Sequence, residues 1–378
     1  MTQPDRDKSS ELERYARLLA EAEAIQGTSL AADAWRRLKK NRIAFAALWF
    51  LGILSLLALL TPLLPLQSPF AIDIQQAYDP PTVWPPFIDS LRLPGTGAVG
   101  GTATEQRSDW IDTQFGDLNR VNRWLTEARV KLFGGWSINS VCGRDELGRD
   151  ELARLFWGAR ISLAVGLVAT LVSLLIGVSY GAVSGYCGGR IDNLMMRIVD
   201  VLYCVPFIFV VIFLITILSQ EDIQKKLESF GIDRITVFFL VVGAIYWLTM
   251  ARVVRGQVLS LKHEQFIDAA RTIGANQGRI LYLHIVPNLL SVIIVYLTLT
   301  IPRVMLFEAF LSFLGLGVQA PNVSWGLLAN QGFHVITPVK IFWWLFVFPS
   351  LAMGLTLFAL NFLGDGLRDA LDPRLKNR

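Results

Sequence analysis

Apolar runs close to the length that crosses a hydrocarbon core of about 30 Å recur at 43–64, 160–184, 198–218, 235–251, 289–312 and 341–363. A water-soluble fold has no place for six such runs. With 53% hydrophobic and only 17% charged residues and a mean hydropathy of +0.46, the 378-residue chain reads as an all-α integral membrane protein with six transmembrane helices. The fourth run is the shortest, interrupted by Gly243 and flanked by the mixed-charge stretch 220–234. Losing it would leave five spans and put the two termini on opposite sides.

Lysines and arginines orient the spans. Arg36, Arg37, Lys39, Lys40 and Arg42 precede the first run, and Arg190 and Arg197 lie between the second and third. Arg252, Arg255, Lys262, Arg271 and Arg279 lie between the fourth and fifth, and Arg368, Arg374, Lys376 and Arg378 follow the sixth, whereas 313–339 has neither residue type. Both termini are therefore expected in the cytoplasm. The resulting division is a cytoplasmic segment 1–42, a first span 43–64, an extracytoplasmic segment 65–159, a five-helix core 160–363 with a cytoplasmic loop 252–287, and a tail 364–378. Segment 65–159 opens rich in proline and carries Trp110, Trp124 and Trp136, and no fold is readable in it. Residues 9–26 have helical amphipathic spacing. Roughly forty mostly polar residues before the first run argue against a cleaved signal.

The net charge of +4 follows from this topology and calls for no nucleic acid. Cys142, Cys187 and Cys204 have neither metal-type nor redox-type spacing. Gly177-Val178-Ser179-Tyr180-Gly181 fits the Gly-x-Ser-x-Gly elbow of serine hydrolases, which would make Ser179 an intramembrane nucleophile. An elbow needs a strand before its serine, however, and this one lies inside an apolar run. Gly177, Gly181 and Gly185 recur every four residues, as they would on a helix face cleared for a close neighbour. His263-Glu264 fails as a zinc-protease motif because Ile267 stands where the second histidine belongs, and no Gly-Lys pair exists for a P-loop. No catalytic residue and no metal site is expected, and any ATP must bind another subunit.

Between the fourth and fifth runs lies Glu264-Gln265-Phe266-Ile267-Asp268-Ala269-Ala270-Arg271-Thr272-Ile273-Gly274, with Pro287 thirteen residues on. Asp268 falls near the start of a short helix, Ala269 and Ala270 allow a second surface to approach, and Gly274 is placed to end the helix in a left-handed cap. The pattern resembles the EAA loop of permease subunits in bacterial ATP-binding-cassette (ABC) importers, with Asp268 where that motif has Glu. Further stretches resemble the C-type permease of dipeptide and oligopeptide importers: Gly143-Arg144-Asp145-Glu146-Leu147-Gly148-Arg149-Asp150, Gly158 to Leu163, and Arg197, Asp200 and Pro206. So do Glu308 to Gly317 with Ser324-Trp325-Gly326, and Asn361 through Leu375. The resemblance is weakest over 65–140.

This resemblance implies a type I importer permease working by alternating access. It implies a B-type permease as heterodimeric partner, two ATPase subunits holding ATP and Mg and gripping Glu264–Gly274, and an extracytoplasmic binding protein. Peptides are the expected cargo, with nickel, glutathione or another small solute as the alternative on the same machinery, in a bacterial inner membrane surrounded by lipid. A secondary transporter is the rival class, but it would show an inverted repeat, and none is evident.

Individual residues carry their own expectations. Asp145, Arg149 and Asp150 either cap the second span with ion pairs or form an outer docking rim. Glu308 in hydrocarbon costs at least about 2.5–3.5 kcal/mol and should face a partner or a wet cavity. With Ser312, Gly315, Gly317 and Trp325 it is a candidate for the translocation path or its gate, Gly315 and Gly317 marking backbone that turns back. Asp200 is expected to pair with Arg197. Trp325, Trp343 and Trp344 have the composition of an interfacial belt.

Overall fold

The computed structural model describes residues 30–89, 110–116 and 118–371. The helix expected over 9–26 and the matched residues 372–375 lie outside these. Helix α1 (Leu30–Lys40) leads into α2 (Arg42–Leu59), whose first turn is capped by the Asn41 side chain accepting from the Ala44 N–H at 3.2 Å. Pro62 then turns the chain in a short 3-10 segment.

The segment that was unreadable in sequence has a small fold of its own. Strand β1 (Phe87–Asp89) pairs antiparallel with β2 (Trp136–Ile138), Phe87 opposite Ile138. Helix α3 (Arg120–Phe133) inserts Arg129, only 1% exposed, whose Nε and Nη2 donate to the Leu64 and Leu66 carbonyls at 3.1 and 2.6 Å. A buried guanidinium thus ties down carbonyls of the chain leaving α2, adding to the bond that the Leu64 carbonyl already accepts from the Leu66 N–H.

Helix α4 (Glu151–Cys187) has 37 residues and starts nine residues earlier than the second run suggested. Residues 151–159 therefore belong to the helix and not to the outer segment. The third run is corrected more deeply. It forms α5 (Gly189–Cys204) and α6 (Phe207–Leu218), bent by 84° at the break. Pro206 lacks an N–H to donate and forces Val205 into extended backbone, so no single helix can run through. The short α7 (Glu221–Ser229) follows.

The fourth run, suspected as weak, is instead the unbroken 28-residue α8 (Arg234–Leu261). Its Gly243 is a packing residue: a Cβ there would lie 2.8 Å from the Ala169 carbonyl oxygen of α4. After α9 (Gln265–Thr272) come α10 (Leu290–Phe313), α11 (Trp325–His334) and α12 (Trp343–Leu371). α12 extends through 364–371, which had been expected as tail, and Gly366 allows it to touch Ala44 of α2.

Among the described residues five helices (α2, α4, α8, α10, α12) are long and apolar enough to span a membrane, and the α5–α6 pair makes six if a bent pair is one span.

Helices α4 and α8 run parallel and form the closest pair. Along α4 the glycines face α8 in order: a Cβ at Gly177 would lie 2.6 Å from Met250 Cβ, one at Gly181 would strike the Ala251 carbonyl, and one at Gly185 would lie 2.8 Å from the Arg255 carbonyl oxygen. Ser179 sits within this continuous helix with no strand before it, so the geometry of a nucleophile elbow is missing.

Candidate functional site

Helix α9 begins at Glu264, whose extended backbone starts the helix although its side chain caps nothing. It ends in a Schellman motif: Gly274 has φ +87°, its N–H donates to the Arg271 carbonyl at 2.9 Å, and the Ala275 N–H donates to the Ala270 carbonyl at 3.0 Å. Ile267 and Ala270 face inward into a buried cluster with Val178 and Ala182 of α4, Val254 of α8 and Ile280. This corrects one expectation, since Ala270, at 9% exposure, packs inside the chain and offers nothing to a docking partner. The outward face carries Ala269, Phe266, the Asp268–Arg271 ion pair (3.1 Å) and Ile273, which is 87% exposed at the helix end. Downstream, Ile280–Ile285 widen into a π-helix just before the exposed Pro287, a form that accommodates the proline's missing N–H.

Two arginines on α8 clamp α5 beside this loop. Arg255 makes a bidentate pair with Asp192 at 2.5 and 2.6 Å, and the Asp192 carboxylate also accepts from Ser184 Oγ of α4 at 2.5 Å. Asp200 pairs with Arg252 at 2.7 Å and not with Arg197. The expected partner was local, whereas the real one is 52 residues away and stacks on Tyr203, 3.9 Å from the ring centroid.

At the other end of α4, Asp150 caps the helix by accepting from the Ala153 N–H at 2.8 Å, and burial pushes its carboxyl up to about 6. Asp145 binds Arg149 at 2.7 Å and Arg154 at 2.5 Å, and Arg154 reaches Gln331 of α11 at 2.8 Å. Both carboxylates are buried. They form a knot between the 143–150 turn, α4 and α11, and are not an exposed rim.

Glu308, 1% exposed, faces neither a partner nor water. It accepts from Ser312 Oγ at 2.7 Å and Ser324 Oγ at 2.8 Å, and Ser324 in turn caps α11. Trp325 is fully packed, its Nε1 donating to the Leu155 carbonyl at 2.9 Å, and Trp344 is buried too, which leaves only Trp343 of the three exposed. Gly315 (φ +75°) turns the chain after α10, and Gly317 sits against Ser312 with no room for a Cβ. The residues expected at a path or gate therefore fasten α10 and α11 to α4.

One charge within an apolar helix lies outside the sequence reading above. Arg303 lies inside α10, thirteen residues after Leu290 and ten before Phe313, and it is exposed. A lone cation in the fifth apolar run was the available signal.

Apolar helices of spanning length around a glycine-capped surface helix are the build of a multi-pass membrane protein. The chain belongs to the family described as binding-protein-dependent transport system inner membrane component, which matches residues 154–377. Residues 29–81 match the N-terminal TM domain of oligopeptide transport permease C. The chain is 39% identical to the dipeptide transport system permease protein DppC of Bacillus subtilis (strain 168), over 94% of this chain and 90% of that one. It is 37% identical to the oligopeptide transport system permease protein OppC of Escherichia coli (strain K12), over 93% of each. The glutathione transport system permease protein GsiD of Pectobacterium atrosepticum is 41% identical over 62% of this chain and 73% of that one. This is a permease component of an ABC importer of the inner membrane.

Proposed function

We propose that the protein is the C-type permease of an importer for dipeptides or oligopeptides. In this reading it forms the path with a B-type permease, receives cargo from an extracytoplasmic binding protein, and is driven by two ATPase subunits that hold ATP and Mg. The relatives named for dipeptide and oligopeptide transport support the cargo class; the glutathione relative keeps a small-solute cargo as the second reading. The observation that carries the coupling role is α9 itself: Ile267 and Ala270 on one face are buried, against the π-helical turn 280–285, in the cluster that residues of α4 and α8 complete, while the other face presents Phe266, Ala269 and Ile273. A push on that surface bears on the turn 280–285 and on the cluster it shares with α4 and α8.

Ala269→Trp tests this directly. The bulk projects from the exposed face, so co-purification of the ATPase subunits should fall about tenfold, equivalent to about 1.4 kcal/mol, at unchanged yield of the permease. Undiminished co-purification would remove α9 as the docking element.

The proposed orientation places both termini and α9 in the cytoplasm. A cysteine at Lys262 and a reporter after Arg378 should both report cytoplasm, and a cysteine at Asn322 should be labelled from outside. Termini on opposite faces would refute the arrangement.

A further inference from the structure

Arg303 stands about 20 Å from the start of α10 and about 15 Å from its end at 1.5 Å per residue, close to the middle of a hydrocarbon core of about 30 Å. Its side chain cannot reach a headgroup from that depth, and a guanidinium presents five N–H donors that need acceptors. Among the described residues no carboxylate pairs with it; the other charged group within α10, Glu308, is buried and bonded to Ser312 and Ser324. An exposed cation at this depth must meet protein, water or an anion and not lipid.

Its surroundings are polar for a membrane interior. Tyr246 Oη donates to the Arg303 carbonyl at 3.2 Å, and Arg303 shares a recess of about 30 Å³ with Tyr246, Thr249, Met250, Tyr296, Leu299 and Thr300, room for a water. Thr249 bonds Tyr203 Oη at 2.6 Å, and the Arg252–Asp200 pair follows three residues further along α8. Polar groups at 246, 249 and 252 therefore continue from mid-helix toward the end that carries α9. A fixed pairing with one acid of a neighbouring subunit would need a single polar spot, whereas a passage for solute needs such a continuous strip.

We infer that Arg303, with the hydroxyls beside it on α8 and α10, is a mid-membrane station in the translocation path that takes the carboxylate of the cargo, for a peptide its free C-terminus. This rests on the reading of the protein as a peptide permease.

The assay is uptake by the complete importer in proteoliposomes, comparing a tripeptide with a free C-terminus and the same tripeptide amidated. Arg303→Gln should lower uptake of the free acid about tenfold or more while changing amide uptake less than about twofold, and Arg303→Lys should retain most of the free-acid uptake. Subunit co-purification is measured for each variant. Equal losses for acid and amide, no loss for either, or a complex that dissociates with Gln but holds with Lys would overturn the inference, the last by assigning Arg303 to a subunit contact. If the wild-type importer carries only the acid, loss with Gln and retention with Lys in intact complexes supports it. Failure of the wild type to take up either peptide would instead overturn the peptide reading itself, and the station with it.

Discussion

Gly181→Leu is expected to eliminate assembled importer from the membrane. The α4 backbone at Gly181 rests on the Ala251 carbonyl of α8, with Ala251 Cα 3.0 Å from where a Cβ would stand. Backbone cannot rotate aside as a side chain can. Overpacking typically costs about 1–3 kcal/mol, and a clash with main chain belongs at or above the top of that range. The same displacement would pull Asp192 on α5 away from Arg255 and unseat the cluster beneath α9, since all of these hang on the α4–α8 contact. Quantitative blotting of membrane fractions and size-exclusion of the detergent-solubilised complex give the result. Ser179→Ala, two residues away and exposed, serves as the control and should be silent for transport. Normal assembly of Gly181→Leu would mean that the two helices are not held together through their backbones.

Gly274→Val should leave an inserted, assembled permease that no longer stimulates ATP hydrolysis. At φ +87° a β-branched residue is strained by about 1–3 kcal/mol, yet nothing lies within 4 Å of the position a Cβ would take. The effect is thus conformational and not a matter of space. Relaxing the cap breaks the bonds from the Gly274 and Ala275 N–H groups to the Arg271 and Ala270 carbonyls, and Ile273 and Asp268 lose their fixed positions. ATPase activity evoked by loaded binding protein in reconstituted membranes should fall about tenfold or more. Gly274→Asn, which tolerates positive φ better, should retain most of it. Full stimulation in Gly274→Val would disconnect this cap from coupling.

The membrane spans were legible because sustained apolar composition is a one-dimensional signal. What depends on pairing across the sequence was not. Pro206 in an apolar run reads the same whether a helix kinks or breaks, and Gly243 reads as an interruption until its neighbour, Ala169, is known. Ala269 and Ala270 are indistinguishable as letters; only the packing of α9 against the turn 280–285 and the cluster around it turns one outward and the other in. Arg197 is the nearest arginine to Asp200 on its own helix, although Arg252 on another helix is the one that reaches it. Glu308 reads in the sequence as a charge in need of a partner or a wet cavity, and its two serine donors, one sixteen residues away, are not visible there.

Helix α4 carries the Asp145–Arg154 knot against its first turn and the Ser184–Asp192 attachment at its last. Its 37 residues form a rod of about 55 Å, with no proline along it. Pivoted at one extremity, such a rod converts a tilt of about 5° into a displacement of about 5 Å at the other. Leverage of this kind lets a small rotation imposed at either face be felt as a stroke at the opposite face, with no need for a relay of side-chain rearrangements through the apolar interior.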